Sequence, residues 1–240
     1  MSNFRFASPS TFPPVVKNLL IINVLIFIAQ ITVGANNPNV ENWFALHDLR
    51  STFFHPHQLL TYMFLHGGFN HIFGNMLGLW VFGGMLENYI GSKRFLQFYI
   101  LCGIGAGLLH LGVLYVEMGH YWTLLRTLSP EDQLTIISSP ETYSLNNIAI
   151  PINQATLGAS GAIFGCLAGA AYYMPNNVIY IYAILPLKVK WLALFYGGVE
   201  LYLAIQNSAG DTVAHFAHLG GALTAIIIIW IWNKRRRRTF

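Results

Sequence analysis

The chain has 240 residues, 55% of them hydrophobic and 9% charged, with a mean hydropathy of +0.50. A soluble domain carries about 25% charged residues, so the composition excludes a soluble globular protein and describes one compact helical domain in a membrane. The net charge of +4 does not imply nucleic acid, because the basic side chains flank apolar runs, where they anchor helix ends and meet anionic headgroups; lipid is the acidic partner.

A hydrocarbon core of roughly 30 Å takes about 20 mostly apolar residues per helix. Six runs fit in chain order: 15–33, 68–86, 95–115, 157–173, 191–205 and 213–232. The first is too long and poorly flanked for a signal peptide, so it is expected to stay in the protein. Between the third and fourth runs, 116–155 reads as a surface insertion. "YWTLL" and "EDQLTII" within it are amphipathic, and Ser129-Pro130-Glu131-Asp132 predicts a helix start. Residues 178–187 are apolar but too short to span, and are expected to form a surface or re-entrant segment ending at Pro186. Cys102 and Cys166 fall inside apolar runs and read as buried thiols.

Charge sets the orientation. With the N-terminus inside, Arg5, Lys17, Lys93, Arg94, Lys188, Lys190, Lys234 and Arg235 to Arg238 all lie inside, leaving Arg50 and Arg126 outside. Both termini are therefore expected in the cytoplasm. The chain divides into an N-terminal segment 1–14, a six-helix membrane domain 15–232 carrying the outer insertion 116–155, and a basic tail 233–240.

In this topology the second, fourth and sixth runs all enter from the outer face, and each carries polar groups in its first turns. "HGGFNHIFGNMLG" stacks His71 and Asn75 at i and i+4, with His66 just above them; "LGASGAIFG" offers Ser160; "VAHFAHLGG" offers His215 and His218 one turn apart. A rise of 1.5 Å per residue puts His218 roughly 5–10 Å below the outer surface. A lone serine in a membrane helix ordinarily bonds its own i−4 carbonyl, but ionisable groups at depth are costly and tend to mark function. Polar side chains from three helices at one depth can meet in a single water-accessible cavity.

Nucleophilic chemistry fits this set. Serine attacks a carbonyl only when a base takes its proton, and imidazole suits that exchange near neutral pH. Ser160 is the candidate nucleophile, with His215 or His218 as base. Asn75, His71 and the Ser160 amide at a helix start can donate to the oxyanion of a tetrahedral intermediate. Gly158 and Gly161 allow close backbone approach around the serine. Glu200 in the fifth run has no sequence partner and is expected to make a helix–helix hydrogen bond.

The motifs Gly158-Ala159-Ser160-Gly161, Ala217-His218-Leu219-Gly220-Gly221 and His71-x-x-x-Asn75, with "ENYIGSKRF", "MPNN" and "LPLKVKW", resemble the rhomboid intramembrane serine proteases. The resemblance covers the chain from about His55 onward. It implies an all-α polytopic bundle of six transmembrane helices, a Ser160–His218 dyad without cofactor or metal, and an oxyanion site of His71, Asn75 and the Ser160 amide. It also implies that Phe164 packs on the imidazole and that the substrates are other membrane proteins, entering between the second and fifth helices beneath a cap at 206–212. The chain departs from the family at His57-Gln58, where a Trp-Arg pair is common, and at Gly221-x-x-x-Ala225. A bacterial inner membrane is the expected location.

Three rival readings are weaker. A metal site of His66, His71, His215 and His218 would ordinarily bring H-E-x-x-H or a ligating carboxylate, and none stands near these histidines in the sequence. An α/β-hydrolase needs glycine where Ala162 stands. A non-enzymatic rhomboid-like protein would lose the serine or the histidine, and both are present.

Overall fold

The computed structural model describes residues 10–34, 39–139, 143–145, 148–181, 184–206 and 214–237. The cap expected at 206–212 lies almost wholly outside them.

Helices form where the apolar runs predict. The first, α1 (Pro14–Thr32), opens with proline in its first turn, where the missing N–H costs nothing. After two short helices, α2 (Asn39–Phe44) and α3 (Gln58–Thr61), the second run becomes one rod: α4 (Phe69–Gly78), a π-helical turn at Leu79–Gly83, and α5 (Gly84–Ile90). Gly91 turns the chain into α6 (Ser92–Glu117). The later runs give α9 (Ser160–Tyr173), α10 (Val189–Gln206) and α11 (His215–Arg237). Three helical segments, Pro14–Thr32, Ser92–Glu117 and His215–Arg235, are long and apolar enough to cross a membrane by length and composition. Phe73, Leu108, Leu194, Phe195 and Ile226 expose their side chains, a surface suited to lipid rather than water. Helix α11 continues past the expected end at 232, because the basic residues of the tail complement the dipole at a helix C-terminus.

The insertion carries α7 (Gly119–Leu125) and α8 (Pro130–Ser138), with Ser129 as N-cap: its Oγ accepts from the Asp132 amide at 3.2 Å. It also forms a hairpin the sequence reading did not contain, β1 (Tyr143–Leu145) with β2 (Ile148–Ile150). Leu125, Ile136, Ile150 and Ile152 close a small core of its own. The segment expected as surface or re-entrant is likewise a hairpin, β3 (Val178–Ile181) with β4 (Leu185–Lys188), pairing Tyr180 with Pro186. Branched and aromatic residues over so short a run favour strands.

Three contacts frame the interior. Glu87 is buried and ties three elements together. Its Oε1 accepts from the Val15 amide at 3.0 Å and the Ser92 hydroxyl at 2.6 Å, and its Oε2 from the Val16 amide at 2.8 Å. A carboxylate thereby caps the positive end of α1. Glu87→Ala leaves these donors unpaired and is expected to cost about 1–3 kcal/mol, read as a lowered unfolding temperature in detergent. At the opposite end, Gln58 is fully buried. It accepts from the His47 amide and donates to the carbonyls of Asn42 and Phe53, at 3.3, 3.0 and 2.7 Å. The loop is thus pinned by an amide at the position where the resembled family commonly carries Trp-Arg. In the middle, α9 meets α11 backbone to backbone: a Cβ on Gly221 would overlap the carbonyl of Gly161. Cys102 and Cys166 are buried free thiols beside this contact.

Candidate active site

Ser160 is the first residue of α9, and the turn before it is specified by local chemistry. Gly158 has φ +134°, a conformation that side chains rarely adopt, and its amide donates to the Tyr62 carbonyl at 2.9 Å. A Cβ there would also stand 2.9 Å from His71 Nε2. Glycine is therefore required both for the bend and for the space.

The serine hydroxyl lies 2.7 Å from Nε2 of His218, one turn into α11. Phe164, one turn along α9 from Ser160, stacks on that imidazole, with ring centroids 4.4 Å apart and planes inclined by 6°. Close packing of α9 on α11 through Gly161 and Gly221 holds the pair together.

Across the cavity stands α4. The Gly67 amide donates to His71 Nδ1 at 3.2 Å, so a neutral His71 carries its proton on Nε2, the nitrogen facing Gly158. Asn75 is 7% exposed and its Nδ2 has no hydrogen-bond partner. A buried amide donor without a protein partner is unusual in a folded protein. His71, Asn75, Gly158, Ser160, Phe164 and His218 line one cavity of about 740 Å³.

Two predicted residues lie elsewhere. His66 does not line this cavity; it is 3% exposed and packs edge-on to His71 at 5.3 Å. Burial first, then the neighbouring His71, pulls its pKa down to about 4, so the ring is neutral at physiological pH and acts as packing behind His71. His215 lines a second cavity of about 170 Å³ with Asp48, His110 and Glu117, and its Nδ1 lies 2.6 Å from Oε2 of Glu200. Glu200, on α10, thus makes the helix–helix hydrogen bond expected of it. The same oxygen is also 2.9 Å from Nδ1 of His218, within ion-pair distance, although the angle falls short of a hydrogen bond.

This corrects one step of the sequence reading, which found no carboxylate near the histidines. Among the described residues, the group with metal-like spacing is Glu200, His215 and His218, whose ligand atoms lie within 4.8 Å of one another, rather than four imidazoles. The distances favour a proton over an ion. Two ligands of one tetrahedral zinc, each about 2.0 Å from it, stand roughly 3.3 Å apart, whereas His215 and Glu200 approach to 2.6 Å.

The sequence matches the family model described as a rhomboid domain over residues 54–235. It is 26% identical to RHOMBOID-like protein 12, mitochondrial, of Arabidopsis thaliana, over 77% of this chain and 48% of that protein. It is 23% identical to Rhomboid-like protein 11, chloroplastic, of the same plant, over 90% of this chain and 64% of that protein. It is 28% identical to Rhomboid protease AarA of Providencia stuartii, over 69% and 52%. The chain thus spans about half to two-thirds of the length of these relatives. Two of the three are organellar by name, so the expected bacterial inner membrane draws no support from them.

Proposed function

The chain belongs to the rhomboid family and is a multi-pass membrane protein, and from that premise we propose that it is an intramembrane serine endopeptidase. The observation that carries the proposal is the 2.7 Å contact between Ser160 Oγ and His218 Nε2 in a cavity lined by further donors. His218 takes the hydroxyl proton as Oγ attacks the scissile carbonyl. Asn75 Nδ2, His71 Nε2–H and the Ser160 amide donate to the oxyanion. The imidazolium then protonates the leaving amine, and water, activated by the same histidine, releases the acyl-enzyme.

The helices α1, α4–α5, α6, α9, α10 and α11 form a six-span membrane domain over residues 15–232, with both termini inside and 116–155 outside, an arrangement supported by the basic residues at its inner ends. Residues 1–14 and 233–240 flank it. Substrates are transmembrane proteins, admitted between the α4–α5 rod and α10, and cut in or beside their membrane segments. Neither a cofactor nor a metal takes part.

The test is labelling by a fluorophosphonate, because the base that primes Ser160 for a peptide carbonyl primes it equally for the reagent. Label is expected on Ser160, lost in Ser160→Ala and sharply reduced in His218→Ala. Cleavage of a reporter transmembrane substrate is expected to survive chelation. Activity restored by metal without serine labelling would overturn the proposal.

A further inference from the structure

We infer that Glu200 is a positioning residue for His218, the third member of a Ser160–His218–Glu200 relay. The inference rests on reading Ser160 and His218 as nucleophile and base, and goes beyond it to a residue on a third helix.

For His218 to accept the Ser160 proton on Nε2, its own proton must sit on Nδ1, and a buried N–H needs an acceptor. Glu200 Oε2 stands 2.9 Å away. The contact is close enough for a hydrogen bond and needs only a small rotation of the ring or carboxylate to align. When Nε2 takes the serine proton, the largely buried imidazole becomes a cation, and a carboxylate beside Nδ1 is the group that stabilises it.

His215 explains why the carboxylate stays in place. Its Nδ1 lies 2.6 Å from the same Oε2, so one oxygen is shared by two imidazoles a turn apart on α11. Glu200 is 8% exposed and His215 is equally buried. A carboxylate at membrane depth is retained only with partners, and here both contacts converge on the oxygen nearest the reacting histidine. The other titratable groups around this corner, His110 and Glu117 of α6 and Asp48, line the cavity that includes His215. No contact with Ser160 is needed: Glu200 acts through the orientation and charge of His218.

The experiment compares wild type, Ser160→Ala, Glu200→Gln and Glu200→Ala as purified full-length proteins in detergent. It measures kcat and KM on a reporter transmembrane substrate, fluorophosphonate labelling of Ser160 normalised to folded protein, and unfolding temperature. Glu200→Gln keeps the volume and removes the charge. It is expected to lower kcat and the labelling rate about tenfold, with KM within about twofold and an unfolding temperature near that of wild type. Glu200→Ala is expected to fall further in kcat. A merely structural role would lower stability and leave the labelling rate of folded protein unchanged, which would overturn the inference. Wild-type kcat in Glu200→Gln would do the same. Wild-type activity that is lost on chelation and restored by zinc would assign the three side chains to an ion instead. Residual cleavage by Ser160→Ala would sink the underlying dyad, an outcome distinct from each of these.

Discussion

Ser160→Ala and His218→Ala are each expected to remove turnover, by on the order of 10⁴- to 10⁶-fold, with the double variant no slower than either alone. The scale follows from two groups that act as one unit: without the base the hydroxyl is not a nucleophile, and without the hydroxyl the base has nothing to prime. Their 2.7 Å contact is one hydrogen bond, worth about 0.5–1.5 kcal/mol, so neither change should unfold the chain. Kinetics on a reporter substrate, beside circular dichroism of each variant, checks this. His215→Ala is expected to be much milder, because that ring meets Glu200 rather than the serine. Activity in His218→Ala together with an inert His215→Ala would reverse the choice of base.

Asn75→Ala is expected to lower kcat by roughly 10- to 1000-fold, the range for one oxyanion donor lost while others remain. The structure adds a second expectation. Asn75 Nδ2 is buried without a partner, so removing it relieves an unsatisfied donor rather than breaking a bond. The variant should unfold at or above the wild-type temperature while turning over more slowly. That opposition between stability and rate is the mark of a group kept for the transition state. A change in KM alone would assign Asn75 to substrate binding.

The main helices were legible because long apolar runs mark them, and among the described residues Pro14–Thr32, Ser92–Glu117 and His215–Arg235 are long and apolar enough to cross a membrane. Ser160, His218, His71 and Asn75 were legible as a cluster because orientation by charge put the starts of three runs at one face. The partner of Glu200 was not. Helix α10 exposes Leu194, Phe195, Leu201, Tyr202 and Ile205, and a run apolar nearly all round carries no phase to say which side faces its neighbour. Only packing between α10 and α11 turns Glu200 toward the two histidines. The hairpin at Val178–Ile181 and Leu185–Lys188 was hidden for another reason: a short apolar run has no period long enough to separate strand from re-entrant coil. The anchoring by Gln58 depends on carbonyls contributed by Asn42 and Phe53, and no spacing within the loop announces them.

The contact between Gly161 and Gly221 bears on the timing of the cycle. Two backbones in direct touch have no side chain between them to compress or swing aside, and close-packed interiors transmit displacement rather than absorb it. Serine and histidine therefore do not wait for an arriving polypeptide to bring them together. On the proposed reading the pair is pre-assembled, so the variants above alter the chemical step itself and not the meeting of its two groups.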